Sequence, residues 1–352
     1  LWERARTDNY YVGGVVEQSH GYSRNNDNWS LRLGHTWVID EGHLNELRVQ
    51  GGNRETRIPL NSTEIGEWFS TGTTLQIGAN ILGSNYEADT DFLQVDDTFS
   101  LLGLGDHALR FGLNYLYTST FHRQNRFEEG WLIYLSDSRA LPYYYYYGSG
   151  DSGATLDNSV IGIFAQDDWR PSPKLTVSLG LRYDLETGAP NPDFEHPLVG
   201  DRSLDTDNIQ PRIGVSWNPD GEGRTVVRAG VGRYVSQFAL FASMFERSFN
   251  DVSGRVQLQR LNGLLVCTQQ GIPPDLCPLP VLDPTDPANT GIPLPPNIEL
   301  LEDSIEMPES WQVSAGVSQR LGRTGLVFDI EGIWIDGSNE TIFRDTNWAG
   351  NA

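Results

Sequence analysis

Between Leu175 and Asp184 apolar and polar residues alternate without a break: Leu175, Val177, Leu179, Leu181 and Tyr183 fall on one face of an extended chain, Thr176, Ser178, Gly180, Arg182 and Asp184 on the other. A strict period of two predicts a strand. The same rule recurs elsewhere. Trp29, Leu31, Leu33, His35, Trp37 and Ile39 oppose Ser30, Arg32, Gly34 and Thr36, Leu47 and Val49 oppose Glu46, Arg48 and Gln50, and Leu109 to Tyr117 place aliphatic and aromatic residues opposite Arg110, Gly112 and Asn114. Later, Ile213, Val215 and Trp217 oppose Arg212, Gly214 and Ser216, Val227, Ala229 and Val231 oppose Arg228, Gly230 and Gly232, and Leu326, Phe328, Ile330 and Trp334 oppose Asp329 and Glu331. The polar faces carry charge, hydroxyl, amide and glycine in varying mixture.

The connections carry a second rhythm. Short turns rich in Gly, Pro, Asn and Asp (DEGH, GLGDH, RPSPK, NPDGEGR, LGRTG) alternate with long connections at about 55–89, 121–158, 187–207 and 237–310. Repeated structureless loops of that length are uncommon in a compact soluble domain. Transmembrane β-barrels are built this way, with short turns at one end and long loops at the other. The pattern predicts an all-β chain: an antiparallel up-and-down transmembrane barrel wall of about eleven strands near 10–20, 30–39, 44–54, 90–102, 108–120, 159–169, 175–186, 208–218, 225–236, 311–321 and 326–337. The alternating TTLQIGANILG falls inside a long connection and is expected to form a hairpin there. Residues 237–310 are expected to be one long Pro-rich extracellular loop. Trp169, Tyr183, Trp217, Tyr234, Trp311 and Trp334 stand near strand ends, where interface girdles place aromatics. Asp167 shares the parity of Ile161, Ile163 and Trp169, so it is expected near the short-turn interface or beside a bulge.

Composition changes the picture in one respect. The chain has 37 Gly, 14 Tyr, 10 Trp and 14 Phe but only 38% hydrophobic residues, and no apolar run reaches the length of a membrane helix. A membrane strand needs only about ten alternating residues, so low average hydropathy leaves a barrel open. A soluble sandwich or a secreted all-β binding protein carries the same alternation; a propeller lacks support because no fixed-period blade repeats. The net charge of −22, with 47 acidic against 25 basic residues, argues against a nucleic-acid partner. Acidic stretches such as YEADTD and LEDSIEMPES are either a solvated surface or a place for divalent cations. Cys267 and Cys277 either close a short disulfide, worth about 2 to 3 kcal/mol, or remain two free thiols.

IFAQDDWRPSPKLTVSLGLRYD strongly resembles a hairpin of TonB-dependent outer-membrane receptors: an aromatic-x-Gln-Asp-x-Trp strand, a Pro-containing turn, and a strand ending Gly-Leu-Arg-Tyr-Asp. HALRFGLNY, NIQPRIGVSWNP, RTVVRAGVGRY and SWQVSAGVSQRLG echo it, and the pattern looks most like the large receptors with a carboxypeptidase-regulatory-like N-terminal domain. The resemblance implies a barrel of about 22 strands around a plug. It also implies an outer-membrane location in a Gram-negative-type bacterium, with bilayer and lipopolysaccharide around the wall. Uptake of a scarce ligand (siderophore, cobalamin, glycan or peptide) would be driven by the inner-membrane TonB complex. The opening LWERARTDNYY and closing RDTNWAGNA lead us to expect an internal piece of that barrel, with plug, TonB box and closing strands outside it. The alternative class is a passive porin or a surface adhesin.

No catalytic constellation stands out. His20, His35, His43, His107, His122 and His196 are scattered, with no paired metal-ligand or nucleophile spacing, so no enzyme activity, cofactor or metal is expected. Lumen-face candidates for ligand or plug contact are Arg32, Arg48, Arg110, Arg182, Asp184, Arg212, Arg228, Asp329 and Glu331, with mutual pairing among wall charges, Glu46 included, as the plainer expectation. Tyr143, Tyr144, Tyr145, Tyr146 and Tyr147 suit either packing and an interface girdle or ligand stacking.

Overall fold

The structure, a computed structural model, describes residues 1–70, 74–80, 86–135, 144–250, 256–261, 273, 299–322, 325–342 and 344. Along them run β1 (Trp2–Tyr10), β2 (Tyr22–Asp40), β3 (His43–Ile58), β4 (Gly66–Phe69), β5 (Gln76–Ile77), β6 (Tyr86–Leu104), β7 (His107–Arg123), β8 (Trp131–Tyr134) and β9 (Tyr144–Ser149). They continue as β10 (Ala154–Ser172), β11 (Leu175–Glu186), β12 (Ile209–Trp217), β13 (Thr225–Val235), the helix α1 (Leu240–Phe249), β14 (Val256–Leu261), β15 (Glu309–Leu321) and β16 (Leu326–Ser338).

Eleven of these strands form one antiparallel sheet in the order β1-β2-β3-β6-β7-β10-β11-β12-β13-β15-β16, each wall strand lying beside the next one in the chain. That order is what short turns and up-and-down connectivity require. Pairing between β10 and β11 sets Ile163 against Tyr183 and Ala165 against Leu181 on one face, and Phe164 against Arg182 and Gln166 against Gly180 on the other. Register across neighbours keeps all apolar positions together, because a slip of one residue would turn a whole strand over.

The apolar face has no layer against it. Leu33 is 63% exposed, Leu181 52% and Ile330 62%, and the two buried apolar clusters both lie in the long connections. A sandwich buries that face against a second sheet; here lipid is the medium that covers it. β2, β6 and β10 are 19 residues long. At about 3.4 Å per residue they far exceed an apolar band about 25 Å tall. Their polar outer halves, such as Arg24–Asn28 and Glu87–Asp91, therefore stand beyond the bilayer at the end where the long connections gather. Among the described residues no helix is long and apolar enough to cross a membrane.

One expectation is corrected. The first wall strand is Trp2–Tyr10 rather than 10–20. Tyr10–Val16 is apolar enough to suggest a strand, but Tyr11, Gly13 and Gly14 all take positive φ, which turns the chain out of the sheet. The connection expected at 237–310 contains α1 and β14. Of TTLQIGANILG the described residues 74–80 carry the two-residue β5, which pairs antiparallel with β4, so its partner strand precedes that stretch. Asp167 takes the interface alternative: its Oδ2 lies 2.7 Å from His107 Nδ1, beside the short turns, and the β10 register runs unbroken from Val160 to Trp169. Cys267, Cys277 and Tyr143 lie outside the described residues.

The long connections build a second layer of structure at their end of the wall. β14-β9-β8-β4-β5 make a separate sheet. α1 is pinned by a fully buried ion pair, in which both terminal guanidinium nitrogens of Arg202, Nη1 and Nη2, donate to Glu246 at 2.7 Å. Glu246 also accepts from Asn191 Nδ2 and Leu301 N, each at 2.8 Å, so one carboxylate joins three segments far apart in the chain. The connection before β2 is held by His20, only 2% exposed, whose carbonyl accepts from Asn80 Nδ2 at 3.1 Å. Burial holds the His20 imidazole below its usual pKa, against a smaller opposing effect of the backbone at Gly78, Ile77 and Ala79.

Removing Glu246 strands a buried guanidinium, a cost of about 3 to 5 kcal/mol. Hydrogen exchange on the Glu246→Leu variant is expected to rise together in 189–208, 240–250 and 299–307 while the wall stays protected. Loosening of α1 alone would contradict this. A His whose folded pKa is lowered stabilises above its unfolded pKa and loses that contribution as pH falls. Exchange at 11–21 and 75–80 is therefore expected to accelerate below a pH of about 6.5, and to lose that pH dependence in His20→Asn.

Candidate functional site

The polar face of β10 to β16 carries most of the charged candidates. Arg182 Nε donates to Asp184 Oδ2 at 2.8 Å, Gln210 Nε2 reaches the same oxygen at 2.5 Å, and Arg212 Nη2 donates to Gln210 Oε1 at 3.0 Å. The Arg212 guanidinium then lies 4.3 Å from the centre of the Tyr234 ring, a cation–π contact. One chain of contacts thus crosses β11, β12 and β13. Gly162 makes room for it: a Cβ there would collide with Arg182 Nη2 and Asp184 Oδ1. Gly112 likewise lies under the Phe164 ring, its pairing partner, where a side chain would collide.

Beside this network is a groove of about 390 Å³ with Gly180, Gly214 and Gly230 in its floor and Gln166, Arg212, Tyr234, Gln312, Glu331 and Ile333 among its lining. Glycine brings bare backbone to the surface, so a guest can approach the sheet closely. Arg212 Nε is buried without a hydrogen-bond partner, so the groove holds donor capacity that the wall itself does not use.

The other candidates fall into place separately. Arg48 and Glu46 pair at 3.5 Å on an exposed surface, and Arg228 donates to Ser318 Oγ at 3.2 Å, while Ser318 in turn donates to Asp329. Such exposed pairs contribute little to stability. Arg32 faces Gln50, and Arg110 faces Ser100 and Gln166, both by register. The pairing of wall charges with one another therefore holds for Arg48 and Arg182, and by way of a serine for Arg228. Tyr234 corrects the girdle expectation: it shares the parity of Gly230 and Gly232 and packs under Arg212 on the polar face. Trp169, Trp217, Trp311 and Trp334 stand exposed on the apolar parity as expected.

Sequence reasoning missed Gln210, the central acceptor and donor of the network, although NIQPRIG already places it two residues before Arg212 on the polar face. It also missed Glu186, which is 1% exposed and accepts from Asn158 Nδ2 at 2.7 Å and Phe238 N at 2.8 Å, tying α1's approach to the wall. The tyrosine run divides. Tyr145 is 5% exposed in an apolar cluster, Tyr146 is half-buried on the opposite face of its sheet, and Tyr144 and Tyr147 occupy β9. Among the described residues no group of three His, Cys, Asp or Glu converges to hold a metal ion.

Comparison with known proteins agrees with this architecture. The family model described as TonB dependent receptor-like, beta-barrel matches residues 2–351. The TonB-dependent transporter Oar of Myxococcus xanthus is 32% identical over 109 residues, 30% of this chain and 9% of that protein. Among solved structures, the outer membrane transporter YddB from Escherichia coli superposes with a TM-score of 0.53 at 14% identity, over 89% of this chain and 34% of that one. The ferric enterobactin receptor PfeA of Pseudomonas aeruginosa gives a TM-score of 0.45 at 14% identity, over 91% of this chain and 36% of that one. The chain spans about a third of the length of these structures and a smaller part of the Myxococcus relative. It is a wall segment of an outer-membrane β-barrel and belongs to the TonB-dependent receptor-like β-barrel family.

Proposed function

We propose that this chain lines the import path of an active receptor: a scarce ligand is captured at the extracellular end, where the long connections gather, and passes the polar face under the control of the inner-membrane TonB complex. The observation that carries the reading is the glycine-floored groove at Arg212, set beside the Arg182–Asp184–Gln210 network on the lumen side of a family wall. A plain water channel needs only solvated charges. Here the charges are arranged into a fixed, partly unsatisfied surface, which suits a plug segment or a ligand in transit.

In that role Arg212, Glu331, Gln166 and Gln312 bind the occupant, and Arg182 and Asp184 orient Gln210 and through it Arg212. Arg32, Arg48, Arg110, Arg228 and Asp329 stand on the same face nearer the flanks and contact the plug. Bilayer lipid and lipopolysaccharide surround the exposed apolar face.

The test is uptake by cells whose only copy of the full-length gene product carries the variant, assayed with ferric siderophores, cobalamin and oligosaccharides. Gly230→Arg fills the groove floor, so transport is expected to fall at least about tenfold at unchanged surface abundance. Loss of the TonB complex should abolish it as well. Uptake that persists without TonB would replace active import with passive passage.

A further inference from the structure

The wall breaks its own rule in one place. The lipid-facing row of β2 reads Leu31, Leu33, His35, Trp37, Ile39, and that of β6 reads Leu93, Val95, Asp97, Phe99, Leu101. In each row the third of five residues, the centre of the apolar stripe, is ionisable. Register sets His35 against Leu47 and Leu47 against Asp97, so the two stand level with each other on either side of β3. Asp96, next in the chain, turns to the lumen and accepts there from Gln94 and Asn114. The pleat therefore leaves Asp97 on the outer side.

From β7 onward the central outward positions are apolar and exposed: Leu113, Ile163, Leu181, Val231, Val313 and Ile330. The exception is confined to β2, β3 and β6. Asn45, on the same face of β3, donates from Nδ2 to Asp97 Oδ1 at 2.7 Å. Among the described residues, Asp97 Oδ2 and the His35 ring have no hydrogen-bond partner. Hydrocarbon offers neither donor nor acceptor, and a charge on the lipid face of a barrel costs most at the bilayer midplane. Ionisable groups persist at that depth where protein or water covers them. This patch faces away from the lumen, so its cover is protein.

The patch carries both halves of a pair: an imidazole whose N–H donates and a carboxylate that accepts. Adjacent strands lie about 4.8 Å apart, so β2 and β6 are separated by roughly 10 Å with Leu47 midway. A two-fold axis passing near Leu47 along the membrane normal exchanges the two flanks. His35 of each copy then comes opposite Asp97 of the other, and one symmetric contact closes both pairs. An unrelated protein would have to bring its own donor and acceptor at the same spacing; a second copy has them by symmetry. Trp37, 55% exposed beside His35, and the half-buried Phe99 add the aromatic surface that interfaces favour.

We propose that the outer face of β2, β3 and β6 is a dimer interface in the plane of the membrane, with Leu47 near the two-fold axis and His35 paired to Asp97 across it. The remaining apolar face meets lipid. Dimerisation is independent of the import reading, because it uses the side of the wall that no ligand passes.

Disulfide cross-linking of the full-length protein in intact outer membranes tests this, with Cys267 and Cys277 replaced by Ser. Leu47→Cys is expected to give a species of twice the monomer mass, whereas Ile330→Cys, on the last strand of the segment, is not. Adding Asp97→Leu to Leu47→Cys should lower the cross-linked fraction at least about tenfold. Exchanging the pair, His35→Asp with Asp97→His, should restore it, which separates lost recognition from lost folding. The proposal is overturned if inserted Leu47→Cys protein gives no dimer, or links to a different polypeptide. It is equally overturned by equal yield at Ile330→Cys, by a yield that Asp97→Leu leaves unchanged, or by a loss that the exchange fails to restore.

Discussion

Inside a bilayer no water is available to the backbone, so every peptide N–H and C=O at that depth needs a partner within the protein. Between its strands this chain meets the demand with a continuous antiparallel ladder through eleven of them, the edge strands β1 and β16 being paired on one side, and the rest of the molecule depends on it. A ladder fixes side chains alternately on two faces. Once the Leu181 face turns to lipid, the Arg182 face must hold whatever passes through or fills the interior. The polar network is therefore on the lumen side by geometry, and its glycines keep that side thin where charges and rings have to fit.

Such a wall has no core of its own. Its packing against lipid leaves the buried apolar clusters to the long connections, around Tyr134 in the smaller sheet and around Ala189, Phe238 and Ala242 of α1. There the fold behaves like a water-soluble protein, with stacked rings, a buried ion pair and hydrogen-bonded asparagines. Arg202 and Glu246 make the dependence plain, since a charge taken out of water is tolerable only with its partner and further donors in place. Asn191 and Leu301 supply those donors, and the three segments form one structural unit.

The wall is legible in the sequence because its rule is local. Period-two alternation and turn residues are read within a dozen positions, and they locate β10 and β11 to within a few residues of their ends. The same locality explains the errors. Tyr10–Val16 has the apolar content of a strand, but the Gly13–Gly14 turn overrides it. Tyr234 stands near a strand end, as a girdle residue does, although its parity with Gly232 places it with Arg212. The site is legible at Arg182, Asp184 and Arg212 as residues on the right face, but their union through Gln210 depends on the register between strands. Contacts such as Arg202 with Glu246, or Trp68 with Trp131, join residues tens of positions apart, and no pattern within a window announces them.

The two-faced wall is tested most directly by nitroxide scanning along β11 of the full-length protein in outer-membrane vesicles, one label at each position from Val177 to Tyr183, after replacement of Cys267 and Cys277. Labels at Val177, Leu179, Leu181 and Tyr183 should be accessible to oxygen and shielded from a water-soluble nickel chelate. Those at Ser178, Gly180 and Arg182 should show the reverse. Equal access to the chelate at every labelled position would mean that no lipid covers the Leu181 face, and the membrane wall would have to be abandoned.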